Sequence, residues 1–103
     1  MIKSNTQLRI ITAMVNTDAV VEVDIIADVN FNIETLTYLL RVQTYYIQNN
    51  NRMPLEQINV TLQQAEIEVQ TGATFIEKIK KALVAYMNTS MLYGSENGTW
   101  ILV

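Results

Sequence analysis

Seven apolar side chains, Val21, Val23, Ile25, Ala27, Val29, Phe31 and Ile33, alternate with mostly polar neighbours across residues 21–33. A two-residue period places all seven on one side of a β-strand, whereas on a helix they would scatter around its circumference. A strand of that length with one apolar side needs paired neighbours and a layer to cover it. The rest of the chain is read against that requirement.

Leu8, Ile10, Thr12 and Met14 repeat the alternation, and Asn16, Thr17 and Asp18 supply turn chemistry before the long strand. The spacing predicts a hairpin with Thr17 and Asp18 at its tip, pairing Met14 with Val21, Thr12 with Val23, Ile10 with Ile25 and Leu8 with Ala27. In residues 36–47 the spacing of Leu36, Leu39, Leu40 and Ile47 fits a helix, but Thr37, Tyr38, Val42, Thr44, Tyr45 and Tyr46 favour a strand. Pairing decides for the strand: with residues 32–35 as the loop, Phe31 meets Leu36, Val29 meets Tyr38, Ala27 meets Leu40 and Ile25 meets Val42.

A polar loop containing Asn49, Asn50, Asn51, Arg52 and Pro54 leads to Ile58, Val60 and Leu62, after which the apolar phase shifts to Ala65, Ile67 and Val69. A β-bulge near Gln63 and Gln64 would restore the phase and set Tyr46 beside Ile58, Val42 beside Leu62, Leu40 beside Ala65 and Leu36 beside Val69. Thr74 and Glu77 have the spacing of a capping box, and Phe75, Ile76, Ile79, Ala82, Leu83, Tyr86 and Met87 give one apolar helix face. Glu77 is placed to pair with Lys81, and Asn88 to stop the helix. The expected fold class is α+β: a four-stranded antiparallel β-meander packed by one α-helix, plus a C-terminal β-hairpin. It forms a single domain over 1–103, with strands at about 7–15, 19–31, 36–47 and 56–70, the helix at about 75–88 and the hairpin at about 91–103.

Composition narrows function by removing reagents. The chain has no Cys and no His, hence no thiolate nucleophile, no imidazole base and none of the commonest transition-metal ligands. Ser4, Ser90 and Ser95 have no His to activate them, so no enzyme, cofactor or small-molecule substrate is expected. A net charge of -3 with scattered basic residues argues against a nucleic-acid partner. Lys78, Lys80 and Lys81 fall on the helix side away from its apolar face, where solvated charge is ordinary. No apolar run reaches the roughly 18 residues of a membrane span and the first residues lack a secretory core, so no membrane partner and a cytoplasmic location are expected.

The expected register turns Arg9, Glu22, Asp24, Asp28 and Arg41 to the second face of the sheet, with Ile11, Val15, Val20, Tyr45 and Ile47 toward one end. Glu22, Asp24 and Asp28 on one side of a strand suit a hard cation or an acid and base pair; the bland account has Arg9 and Arg41 neutralising them across strands. Asn, Gln and Thr make up about a quarter of the chain, and uncharged polar groups enter an interface at lower desolvation cost than ions. Biased codon supply gives the same composition. Thr99, Trp100, Ile101, Leu102 and Val103 form a strand that needs cover on both sides.

The function expected is that of a structural protein assembling with copies of itself, as a virus tail or neck ring component does. Ile11, Val15, Val20, Tyr45, Ile47, Arg52, Trp100 and Val103 are the expected contact residues. The alternative is a small acidic module that covers a basic protein surface through Glu22, Asp24, Asp28, Glu66 and Glu68.

Overall fold

The computed structural model describes residues 1–90, 92–94 and 98–103. Its strands are β1 (Ile2–Ser4), β2 (Leu8–Ile11), β3 (Asn16–Ala19), β4 (Val21–Ile25), β5 (Asn30–Asn32), β6 (Thr37–Gln48), β7 (Asn51–Gln63) and β8 (Trp100–Leu102), and its helices are α1 (Gln64–Glu68) and α2 (Phe75–Ser90). The α+β class and the single main helix are as expected; the four-stranded meander is not. Among the described residues eight strands form two sheets, the larger in the order β8, β1, β4, β6, β7 with β5 continuing the lane of β4, and the smaller made of β2 and β3. Every pairing is antiparallel.

The longest feature is the β6–β7 hairpin. Twelve residues of β6, at about 3.3 Å each, account for the 41 Å long axis of the molecule. Its turn is two residues long, because Asn49 and Asn50 take φ of 52° and 64° and Gln48 pairs directly with Asn51. Positive φ at both central positions is the type I′ turn that matches strand twist, and Asn tolerates it better than other residues with a Cβ. The expected polar loop over residues 49–54 is therefore only this turn.

The shorter turn moves the register. Val42 lies opposite Ile58 rather than Leu62, Leu40 opposite Val60 rather than Ala65, and Tyr46 opposite Met53 rather than Ile58. The bulge sits elsewhere too: Gln43 pairs with Gln57 and Tyr45 with Pro54, so Thr44 alone opposes Leu55 and Glu56. At Gln63 and Gln64 the phase shift marks a change of structure, since Gln64, Ala65 and Glu66 are good helix formers and α1 buries Ile67.

The first hairpin also exists with a different tip. Leu8 pairs with Ala19 and Ile11 with Asn16, and residues 12–15 make the turn, where the Thr12 hydroxyl accepts from the amides of Met14 at 3.2 Å and Val15 at 3.0 Å. Each arm bends, so that β1 pairs with β4 in the large sheet while β2 pairs with β3 in the small one. Ser4 holds the bend: its buried hydroxyl accepts from the Val21 amide at 2.9 Å and donates to the Thr6 carbonyl at 2.8 Å.

The strand expected over 19–31 is broken into β3, β4 and β5. Ile25 pairs with Val42 as predicted, but Asn30 pairs with Leu39, five steps along one strand against three along the other. The two surplus residues bow out in the arc 26–29, where Ala27 and Asp28 are exposed and poor β-formers. Phe31 consequently meets Tyr38, with ring centroids 4.6 Å apart, and Leu36 turns out of the strand at φ 53°.

Val21, Val23, Leu40, Val42, Val60 and Leu62 from the large sheet, Leu8, Ile10 and Ala19 from the bent hairpin, and Ile79, Ala82, Leu83 and Met87 from α2 share one core. Tyr86, expected in it, is half-buried at its margin. Thr74 caps α2 by accepting from the Glu77 amide at 3.3 Å, while the Glu77 carboxylate reaches the Ala73 amide at 2.9 Å, one residue before the expected target. Lys81 turns to Thr71 instead of Glu77. The helix passes Asn88 and ends at Ser90. The C-terminal strand does not pair within its own hairpin: β8 pairs with β1, residues 92–94 form a single 3-10 turn, and the rest of the expected hairpin, Met91 and residues 95–97, lies outside the described residues. Asn88 reaches sideways instead, its amide accepting from the Trp100 N–H at 2.8 Å and donating to the Trp100 carbonyl at 3.2 Å.

Leu83 is 0% exposed at the centre of the helix–sheet contact, so Leu83→Ala should lower unfolding free energy by about 2 to 5 kcal/mol. Urea denaturation measures it, and a loss under about 1 kcal/mol would mean that the site collapses around the cavity.

Candidate functional site

Ile67 of α1, Ile79, Ala82, Leu83 and Met87 of α2 and Leu8, Ile10 and Ala19 of the bent hairpin are buried against one face of the large sheet, while Phe75 and Ile76, expected on the same helix face, are exposed. Alternation sends Glu22, Asp24, Arg41, Gln43, Tyr45, Ile47, Arg52, Pro54, Gln57, Asn59 and Thr61 to the other face of the sheet. Toward the turn end of this open face Glu22, Tyr45 and Pro54 lie in one row across β4, β6 and β7, beside a row that pairs Ile47 with Arg52. The Ile47 amide donates to the Val20 carbonyl at 3.0 Å, which adds Val20 to the second row.

Arg52 bridges the rows. Its Nε lies 2.9 Å from the Glu22 carboxylate and a terminal nitrogen 2.9 Å from Asp24, while the guanidinium carbon sits 4.0 Å above the centre of the Tyr45 ring. A planar cation stacked on an aromatic face and forked between two carboxylates suits arginine and not lysine. The hydrogen bond donated to Asp24, then the charges of Asp24 and Glu22, hold the guanidinium proton more firmly than usual, outweighing the opposing effect of burial. Glu22 is the covered partner, its side chain 17% exposed; the pairs with Arg52 open to water are worth about 0 to 1 kcal/mol each.

This geometry corrects the expected electrostatics. Arg52 neutralises Glu22 and Asp24, whereas Arg9 stays on the small hairpin with Asp18 at 3.4 Å and with Asn16. Asp28 lies in the exposed arc, beside Arg41 and Asn59 of the open face. Two carboxylates already held by a guanidinium offer neither a free base nor a cation cage, and among the described residues no three metal-ligating side chains come together. The acids of the alternative reading do not share a surface: Glu22 and Asp24 are on the open face, and Glu66 and Glu68 are on α1 over the other.

Of the eight expected contact residues, Val20, Tyr45, Ile47 and Arg52 are brought together. Val103 is 65% exposed, two lanes away beyond β1. Ile11, 69% exposed, and half-buried Val15 belong to the small hairpin. Trp100 is 1% exposed inside the chain's own core and presents no surface.

Sequence reasoning missed a second polar cluster. The Thr44 side chain fills the bulge, accepting from the Glu56 amide at 3.3 Å, and lies 2.8 Å from the Tyr93 hydroxyl, which itself donates to the Glu56 carboxylate at 2.7 Å. Each hydroxyl has one proton: that of Tyr93 goes to Glu56, and that of Thr44 is shared between Tyr93 and the Glu56 carbonyl 3.3 Å away. This chain of bonds holds Tyr93 at φ 54°, a left-handed conformation that β-carbon residues seldom adopt. No local signal marks it, because the partners are 49 and 37 positions apart.

Comparison with protein-family models, with curated proteins and with solved structures finds no match. No helix among the described residues is long and apolar enough to cross a membrane.

Burial, with the Glu56 carboxylate beside it, pushes the Tyr93 hydroxyl well above its ordinary value, against the lowering effect of Thr44. The unfolded chain therefore ionises first, so the contribution is complete below pH of about 10, the ordinary tyrosine value, and is lost as pH rises beyond it. Tyr93→Phe should cost about 0.5 to 1.5 kcal/mol at neutral pH and make the alkaline decline shallower. Urea denaturation across the alkaline range tests this; a decline as steep as in the wild type would mean that Tyr93 titrates alike in both states.

Proposed function

We propose that the chain is a non-enzymatic assembly protein that forms a homo-oligomer and presents the open face of its large sheet to neighbouring copies. The observation that carries this reading is the one-sided layering: both helices and the bent hairpin pack into one core, and the opposite face, with the Tyr45–Arg52 cluster toward its turn end, has no covering layer among the described residues. Arg and Tyr are the residue types that most often anchor protein interfaces. Here they are held in place before any partner arrives, which reduces the ordering cost of association.

Charge supports self-association on this side. Lys3, Arg41 and Arg52 face Glu22 and Asp24 here, with Asp28 beside Arg41, three cations against three acids, although the whole chain carries -3. Copies therefore meet without the repulsion that their net charge would give elsewhere. The surrounding Gln43, Gln57, Asn59 and Thr61 lose less on desolvation than charged residues would.

Native mass measurement across a wide concentration range tests the proposal. Multiples of the 11.7 kDa chain mass are expected, and Tyr45→Ala or Arg52→Ala should weaken association by about tenfold or more. A single-chain mass at every concentration would overturn the reading.

A further inference from the structure

The two edges of the large sheet are closed differently. On one side β8 is three residues long, and the Asn88 amide occupies both the N–H and the carbonyl of Trp100. On the other side β7 runs for 13 residues and, among the described residues, pairs only with β6. Its first half carries the usual protections of an edge, with Arg52, Pro54 and the bulge at Leu55 and Glu56. Its second half, residues 57–63, is Gln57, Ile58, Asn59, Val60, Thr61, Leu62 and Gln63, without a charge, a proline or a glycine.

The direction of the free backbone groups follows from the ladder. The Gln64 amide donates to Leu36 at 2.9 Å, so by alternation the even residues of this half bond to β6. Gln57, Asn59, Thr61 and Gln63 then direct their N–H and C=O groups away from the sheet, and all four residues are exposed.

We infer that residues 57–63 are the strand through which two copies of the chain join, antiparallel about a two-fold axis at Val60, into one continuous sheet. The segment is complementary to itself in that register. Gln57 meets Gln63 and Asn59 meets Thr61 of the second copy, exchanging about eight main-chain hydrogen bonds. On the opposite side Ile58 meets Leu62 and Val60 meets its own counterpart, so apolar faces apolar and amide faces amide or hydroxyl. No like charges are opposed, since the nearest ionisable residue, Glu56, comes opposite Gln64. Sliding the pairing by one residue would set outward groups against inward ones, and sliding it further would run into the bulge or α1. The joined sheet would carry two Tyr45–Arg52 clusters. This inference rests on the assembly reading above and adds a contact at the sheet edge to that of the open face.

The test uses the full chain. Asn59→Pro removes an N–H that points outward and none that bonds to β6, so circular dichroism should be retained while the oligomer mass falls by a factor of two or more. Thr61→Lys keeps the backbone donor and places a charge on the edge; it should give the same fall, and it decides the matter if the proline variant fails to fold. The chain has no cysteine, so a mixture of Asn59→Cys and Thr61→Cys chains should form disulfide dimers on oxidation more readily than either alone. An assembled wild type whose mass neither variant changes, or equal cross-linking of single and mixed samples, would overturn the edge contact and leave the assembly reading standing. A monomeric wild type would overturn both.

Discussion

The two-residue turn at Asn49 and Asn50 is the constraint on which most of the molecule depends. With both residues at positive φ, Gln48 and Asn51 must pair, and every later partner along β6 and β7 follows from that count. The count places Arg52 opposite Ile47, one row from Tyr45, where its side chain can cross the ring to the two carboxylates of β4. The same count leaves Thr44 facing two residues, and the bulge so formed is closed by the Thr44 and Tyr93 hydroxyls. A longer loop of the same composition would keep the apolar pattern and lose both clusters.

The bent hairpin answers a different problem. A helix of 16 residues is narrower than a five-lane sheet, whose lanes are about 4.8 Å apart, so one helix cannot cover the face alone. β2 and β3 continue from β1 and β4 and add Leu8, Ile10 and Ala19 to the same core as α2. The bend at Ser4 makes this possible because its hydroxyl serves the Val21 amide and the Thr6 carbonyl at the place where the ladder is interrupted. A buried backbone group without such a partner would cost about 1 to 3 kcal/mol. All of this cover lies on one side, which leaves the other side of the sheet open.

What could be read from the sequence was the face on which each residue lies, more than its partner. The predicted pairing of β6 with β7 was displaced by four residues around Val42, an even number, so Val42, Leu40, Val60 and Leu62 are all inward as expected although none meets its expected neighbour. Period two records direction and is blind to even slips. Register comes from turn length, and the run of Asn49, Asn50 and Asn51 before Arg52 and Pro54 reads as a loop unless left-handed Asn is considered. Pairing of Ile25 with Val42 was legible because it lies before the arc at 26–29; pairing of Phe31 was lost beyond it. Tyr45, Ile47 and Val20 were legible as outward residues, while the role of Arg52 toward Glu22 and Asp24 needed the register as well. Trp100 was misplaced because its burial depends on β8 joining β1, a partnership across almost the whole chain.

The unequal treatment of the two sheet edges bears on why an uncharged strand can stand at the rim at all. Residues 57–63 have the β-branched, low-charge composition that invites indiscriminate pairing when exposed. In this fold only one side of that composition is available. Val60 and Leu62 are buried under the helical layer and Ile58 is half-buried, so an approaching strand meets the amides and hydroxyls of the open face and the outward backbone groups. The bulge and Pro54 at one end and α1 at the other bound the segment to seven positions. A pairing confined to so short a stretch has few registers to choose from, and the one centred on Val60 alone matches all seven. On the pairing proposed above, the guards on either side convert an edge that would otherwise promote aggregation into one that selects a single partner in a single alignment.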